Sequence, residues 1–346
     1  MKQFSNVETR PQIFPSPRDG VQRRIFFGGV QVKHILAALY IVVMAFGEDG
    51  IQPAFPAAWP NSQFIVETDW LEKNLQNPNL ALIHISPAND LYARGHIPGS
   101  VFIPYKSILN PAGQPQFRGP SPEGMTDLLQ SAGINRVSRV LIIYESTPWI
   151  RTLADATRLF WTLEYLGHDQ VAVLNGGLEK WLQEKRPTTT DRSFPRKGDF
   201  TPRKVNPSNF LDMAAMKERT GRKDGMILDT RNDLEYFGIT LRKPDLPRSG
   251  HIPGAKLFPW LYYFQENPRG VWAVRPAEEI EAMHKGMGVE NGLEIALYCN
   301  SGHLCTANYW ILRLMGFSRV RVYIGSMAEW SRYPAKEAPL TRYRFE

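Results

Sequence analysis

The sequence predicts two α/β domains in tandem, each a mainly parallel sheet flanked by helices. Three observations predict this. A chain of 346 residues has room for two domains of ordinary size, each with its own core. The segment Gly95-His96-Ile97-Pro98-Gly99 recurs as Gly250-His251-Ile252-Pro253-Gly254. Around both copies, strand-like and helix-like runs alternate in the same order, which is the pattern of a parallel sheet with crossover helices.

Taken from the start of the chain, residues 1–47 carry a basic excess (Lys2, Arg10, Arg18, Arg23, Arg24 and Lys33 against Glu8 and Asp19) and then an apolar stretch over 35–46. That stretch is shorter than the roughly 20 residues a membrane-crossing helix needs, so it reads as the core of an export signal. Arg23-Arg24 followed by Ile25-Phe26-Phe27 resembles a twin-arginine signal, with Gln22 where Ser or Thr is usual. A membrane anchor, or a helix packed on the body, are the alternatives. The expectation is an exported, periplasmic or membrane-anchored protein, with a cytoplasmic one as the alternative. Residues 48–62, rich in Pro and Ala, read as a linker.

The first domain is expected over 63–187. Its apolar run Leu80-Ala81-Leu82-Ile83-His84-Ile85 precedes the first glycine-bounded turn, and Arg139-Val140-Leu141-Ile142-Ile143-Tyr144 supplies a later strand. A helical pattern then closes at Gly167, a residue that tolerates the positive φ of a helix stop. A Pro-, Lys- and Arg-rich linker is expected over 188–206. The second domain, 207–340, repeats the series: Met226-Ile227-Leu228-Asp229 before its turn, Leu293-Glu294-Ile295-Ala296-Leu297-Tyr298 as the matching later strand, and a helix closing at Gly316. Gly176-Gly177-Leu178-Glu179-Lys180-Trp181 and Gly325-Ser326-Met327-Ala328-Glu329-Trp330 end the two series.

The composition is that of a globular protein, 43% hydrophobic and 22% charged. The net charge of +7 raises nucleic-acid binding, but the basic residues are scattered rather than gathered on one stripe, so no nucleic-acid partner is expected. Two cysteines, Cys299 and Cys305, cannot build a disulfide scaffold, and no CxxC pair or histidine cluster suggests zinc.

The paired G-H-I-P-G segments, Asp229-Thr230-Arg231, the loop after Tyr298 and the two G-x-x-x-x-W helices together resemble the tandem rhodanese family, the thiosulfate and mercaptopyruvate sulfurtransferases. The resemblance covers roughly residues 63–340. It implies two rhodanese-like domains and a two-step sulfur transfer. In that reaction Cys299 takes sulfur from a small anionic donor as a persulfide and yields it to a thiol or cyanide. No metal or organic cofactor is called for.

The residues give a physical reason for that chemistry. Cys299-Asn300-Ser301-Gly302-His303-Leu304 runs from a strand end into a helix start, where successive N–H groups can form an anion nest. A cysteine in such a nest should have a lowered pKa, and the cradle would hold a persulfide. Gly302 suits the tight turn. Asn300 and Ser301 are expected to contribute backbone N–H groups. His303 either tunes the thiolate, donates a proton, or faces solvent. Arg231 and Arg248 are candidates for binding an anionic donor, the alternative for each being a structural salt bridge with Asp229 or Glu235. Asp229 is expected to orient the loop or its arginine.

The loop departs from the family in lacking basic side chains, with Asn300 and Leu304 at its second and sixth positions. That argues against thiosulfate as the preferred donor, and His303 does not favour mercaptopyruvate. Related phosphatases carry arginine six residues after the cysteine; here Cys305 stands there, so that reading fails. Cys305 either packs as a small residue or acts as a resolving thiol, which requires Cα atoms within about 7 Å. The first half has no cysteine in its loop, Glu145-Ser146-Thr147-Pro148-Trp149-Ile150-Arg151, and should be a non-catalytic scaffold that buries one side of the second domain and can help wall the site. A carrier passing persulfide to a protein partner is the other functional class. A catalytically dead anion-binding protein is argued against by Cys299.

Overall fold

A computed structural model describes residues 59–109, 121–145, 150–203, 205–241 and 246–346. In the first half β1 (Ile65–Val66), α1 (Thr68–Asn74), β2 (Leu80–Ser86), α2 (Asp90–Arg94) and β3 (Val101–Pro104) are followed by α3 (Pro122–Ser131), β4 (Arg139–Ile143), α4 (Arg151–Tyr165), β5 (Val171–Leu174) and α5 (Gly177–Gln183). The second half begins with β6 (Phe210–Leu211), α6 (Met213–Arg219), β7 (Gly225–Asp229), α7 (Asp233–Tyr236) and β8 (Ala255–Leu257). After a hairpin of β9 (Phe264–Glu266) and β10 (Trp272–Val274) come α8 (Ala277–Met287), β11 (Glu294–Tyr298), α9 (Cys305–Leu314), β12 (Val320–Tyr323) and α10 (Ser326–Trp330).

The two five-stranded sheets have the same order, β1-β5-β4-β2-β3 and β6-β12-β11-β7-β8, and every pairing within them is parallel. The expected α/β tandem is therefore present. Central strands are apolar on both faces because helices cover both, so β4 and β11 are buried from their second residue onward. The helices stop as their glycines predict: Gly167 and Gly316, just past α4 and α9, have φ of 78° and 90°.

Strand register corrects the pairing read from sequence by one residue. Leu80 lies opposite Arg139 and His84 opposite Ile143, while Gly225 lies opposite Glu294 and Asp229 opposite Tyr298. Arg139 thus corresponds to Glu294 rather than Leu293, and Tyr144, not Glu145, occupies the place of Cys299. The same step makes His84 the counterpart of Asp229 and Ser86 that of Arg231. A continuous apolar run has no alternation to fix its register, so the sequence could not choose between neighbouring alignments.

The recurring histidines are structural. His96 stacks on Tyr92 with ring centroids 3.6 Å apart and bonds the Tyr92 carbonyl through Nδ1; His251 does the same to Tyr236 at 3.7 Å. Each also pairs through its backbone with a segment beyond its domain's last helix, Thr189 or Thr341, tying that segment to the turn.

The halves share a core. Helix α4 packs against its own sheet and, across the interface, against α9; its residues 152–164 are all buried. A helix buried all round is expected to be apolar all round. This one carries Thr152, Asp155, Thr157, Arg158, Thr162 and Glu164 in that buried stretch. Four of these polar groups, Asp155, Thr157, Arg158 and Glu164, meet the second half: Thr157 Oγ1 lies 3.0 Å from Thr306 Oγ1, and Glu164 pairs with Arg313 at 3.0 Å.

One expectation is overturned. Among the described residues no helix is long and apolar enough to cross a membrane, so the membrane-anchored reading is withdrawn. The segment 1–47 on which it was based lies outside the described residues, as does most of the 48–62 linker.

Candidate functional site

Cys299 follows directly on the C-terminal end of β11, and α9 starts six residues later. Between them the loop turns back on itself at Gly302, whose φ is 66°. A Cβ there would lie 2.6 Å from the Ile324 carbonyl oxygen, so glycine is needed both for the backbone angle and for the close approach. The hydroxyl of Ser326 pins the loop from below. It accepts from the Cys299 N–H at 3.2 Å and the Gly302 N–H at 3.0 Å, and donates to the Tyr323 carbonyl at 2.8 Å. The loop carbonyls of Cys299 and Asn300 turn outward to the N–H groups of Met327 and Ala328 at the start of α10. With those carbonyls engaged, N–H groups are left facing inward, and His303 N–H reaches Cys299 Sγ at 3.3 Å.

Cys299 is buried, 1% exposed, and so is Cys305. Burial alone would raise the Cys299 thiol. The Cys305 S–H and N–H, the Ser301 N–H and the nearby His303 outweigh it and hold Cys299 well below the ordinary thiol range. The Cys305 thiol is pushed up, first by burial and then by the neighbouring Cys299 sulfur. Cys305 stands as a donor to a thiolate, and both cysteines are free.

The remaining expected residues fall around this loop in different ways. Arg231 is 3% exposed and bound to Asp229, with Nε 2.9 Å from Oδ1 and an Nη 2.6 Å from Oδ2; the same Nη also donates to the Gly250 carbonyl at 2.8 Å. Asp229 further accepts from the Tyr298 hydroxyl at 2.7 Å. Arg248 donates to the carbonyls of Trp330, Ser331 and Tyr333, closing the C-terminal end of α10. Arg231 makes the salt bridge with Asp229 that was its structural alternative, whereas Arg248 bonds backbone carbonyls rather than a carboxylate. Asn300 Nδ2 donates to the buried Glu235 at 2.6 Å, a side-chain role the sequence did not suggest. Ser301 is exposed, His303 partly so, and Leu304 buried.

The first half reaches the loop directly, with named side chains where the scaffold reading expected at most a wall. His303 Nε2 lies 2.7 Å from Asp155 Oδ1 on α4, as a charge contact rather than an in-line hydrogen bond. The ring of Tyr105 lies 4.8 Å from that of His303. Arg158, also on α4, donates to the Gly302 carbonyl at 2.5 Å and sits over Trp161. One sequence signal could have found these residues. Thr152, Asp155, Arg158 and Thr162 recur at helical spacing in a segment that otherwise reads as core. At the matching strand end of the first half Tyr144 replaces the thiol and bonds the Trp272 carbonyl at 3.0 Å. Beside it His84, Glu145 and Ser86 form a closed buried cluster with contacts of 2.8 Å.

Comparison with known proteins matches this architecture. The rhodanese-like domain model fits residues 67–184 and again 212–333. The sulfur carrier protein TtuD of Thermus thermophilus is 30% identical over 284 residues, covering 79% of this chain and 95% of TtuD. The thiosulfate sulfurtransferase of Azotobacter vinelandii is 30% identical over 275 residues, covering 78% and 94%. Among solved structures, YnjE superposes with a TM-score of 0.70 at 24% identity, covering 83% of this chain and 70% of that one. The anaerobic ergothioneine biosynthesis enzyme of Chlorobium limicola superposes with a TM-score of 0.72 at 23% identity, covering 85% and 73%. At such identities the structural likeness concerns the fold. The sequence relatives support an enzymatic sulfur-transfer role in the general sense of the superfamily. With two copies of the domain model and one such loop, the chain belongs to the rhodanese-like family as a tandem-domain member.

Proposed function

We propose that this protein is a sulfurtransferase in which Cys299 carries sulfur as a persulfide. The sulfur comes from a small anionic donor of the thiosulfate or mercaptopyruvate type and goes to a thiol or cyanide. The observation that carries this reading is the environment of one sulfur atom. Cys299 Sγ is buried, faces the His303 N–H at 3.3 Å, and is held well below the ordinary thiol range. A thiolate so held is a competent nucleophile at neutral pH, and the same N–H groups suit the anionic outer sulfur that replaces it. In the first half-reaction the thiolate attacks the outer sulfur of the donor and the leaving group departs with the bonding pair. In the second, the acceptor attacks the persulfide and Cys299 leaves as thiolate.

In this reading Asp229 and Arg231 hold the strand end behind the loop, and Arg248 secures α10, which in turn carries Ser326. The donor's charge is met by the loop N–H groups rather than by these arginines. Cys305 serves as the S–H donor to Cys299.

A second reading is that the persulfide is delivered to a protein acceptor with little small-molecule turnover. It is favoured by the likeness to a protein named as a sulfur carrier. Intact mass after incubation with thiosulfate or mercaptopyruvate, beside Cys299→Ser, tests the first reading. A gain of one sulfur in the wild type alone, discharged by cyanide, is the expected result. No gain from either donor after reducing pretreatment refutes it. A gain that cyanide does not discharge selects the carrier.

A further inference from the structure

We propose that the first domain is a working part of the sulfur-transfer site: Asp155 is a positioning residue that holds His303 as the proton carrier of the acceptor half-reaction. The proposal builds on the persulfide reading above and assigns work to the half that has lost its own thiol.

His303 is the one side chain of the loop 299–304, besides the thiol, whose atoms can both accept and return a proton as an acid–base group. Its backbone N–H already touches Cys299 Sγ, so its ring is tethered beside the reacting sulfur. Nothing from the second half is needed to explain how that ring is held. Asp155 Oδ1 lies 2.7 Å from Nε2, and the Tyr105 ring lies 4.8 Å away; both come from the first half. Asp155 is only 3% exposed, in a helix stretch buried all round. A carboxylate in such a place is costly unless it meets a cation, and the group it meets is the histidine of the sulfur loop. The charged groups around the pair are Arg151 and Glu145 near Asp155, and Arg158, whose guanidinium faces Cys299 and Cys305.

The two half-reactions differ in their need for a proton. With thiosulfate as donor, Cys299–S⁻ and S₂O₃²⁻ give Cys299–S–S⁻ and SO₃²⁻; charge balances and no proton moves. An anionic acceptor then faces an anionic outer sulfur, and the like charges repel. Transfer of the imidazolium proton removes that charge: Cys299–S–S⁻ and His303–H⁺ give Cys299–S–SH and neutral His303. Cyanide attacks the outer sulfur, a C–S bond forms, the S–S bond breaks, and the electron pair returns to Cys299 as thiolate. The proton of the resulting HSCN returns to His303, and thiocyanate leaves. Burial pushes the Asp155 carboxyl up and the contacts with His303 and Arg151 oppose it, so its negative charge compensates the ring when the ring is charged. Because the pair is then close to neutral, it adds little attraction for the donor, and its contribution falls on the second step.

The test separates the steps in the full chain. Single-turnover loading by thiosulfate is followed by intact mass, and discharge of the loaded protein by cyanide is followed as thiocyanate. Wild type, Asp155→Asn, His303→Asn and the double variant are compared, with Glu164→Gln as a control at the same α4–α9 interface. The expected result is a fall in discharge of about 100-fold for His303→Asn and about 10-fold for Asp155→Asn, with loading changed less than about threefold. The double variant should be no slower than His303→Asn, because the two residues act as one unit. Glu164→Gln should move neither step. Equal losses in loading and discharge, additive losses in the double variant, or a selective loss in Glu164→Gln would each overturn the proposal. Failure of the wild type to load from thiosulfate and from mercaptopyruvate alike would instead overturn the persulfide reading beneath it.

Discussion

Gly302→Ala should break the sulfur loop while changing a single methyl group. At φ of 66° an alanine costs roughly 1–2 kcal/mol more than glycine. Its Cβ would lie 2.6, 2.8 and 3.1 Å from the Ile324 oxygen, Cα and carbonyl carbon, atoms of backbone that cannot rotate aside. Relieving that overlap costs roughly 1–3 kcal/mol more. If the protein keeps its fold, the loop must shift, and with it the Gly302 N–H on Ser326, the Gly302 carbonyl on Arg158 and the His303 N–H on Cys299. Two results follow. The melting temperature should fall by roughly 5–15 °C. The pH midpoint for alkylation of Cys299 by iodoacetamide should move upward, towards an ordinary thiol, because the thiolate loses its donors. Alkylation located by peptide mass, across a pH series, reads the second effect. A melt within about 1 °C of wild type together with an unmoved alkylation midpoint would refute the account of this turn.

Three further outcomes are expected. Ser326→Ala leaves the Cys299 and Gly302 N–H groups without their shared acceptor; a loss of about 2–4 kcal/mol in denaturant titration should accompany slower persulfide formation. Cys305→Ala removes the S–H that donates to Cys299, so the alkylation midpoint of Cys299 rises while the fold is kept; an unchanged midpoint would deny the contact. Burial beside Tyr263 holds His284 down at about 4 against 6.5 for a free imidazole. The unfolded chain therefore binds a proton that the folded one refuses, and stability falls as pH drops from 6.5 towards 4. The loss is up to about 3 kcal/mol. Urea titrations at both ends of that window should show the slope, and His284→Gln should flatten it.

The parts of the site that were legible in the sequence are those contiguous along the chain. Cys299, the loop and Gly302 sit within one strand–turn–helix unit whose local rules are known. Asp155 and Arg158 were not, because what brings them to the loop is the packing of α4 on α9, across more than a hundred residues of chain; Tyr105, just past β3, reaches it from as far away. The two arginines show the converse. Proximity along the sequence made Arg231 and Arg248 attractive as anion binders, yet other partners claim both: a carboxylate two residues away for Arg231 and, for Arg248, the open carbonyls of a helix end far along the chain. The fold was readable because it is stated twice. The register was not, since buried parallel strands carry no alternation to count.

Helix α4 has one further consequence, for how the two halves could have changed since they were copies. A domain that has lost its nucleophile would ordinarily be free to drift, or to be shed. Here helix α4 lies within the shared core, with its own sheet on one side and α9 on the other. Deleting the first half would strip the cover from the helix that follows Cys299 and bare the apolar residues of α9. Substitutions in α4 are judged by both halves together. The first copy is kept in place by its neighbour, and freedom to vary should be found in its outer surface rather than in the face it shares.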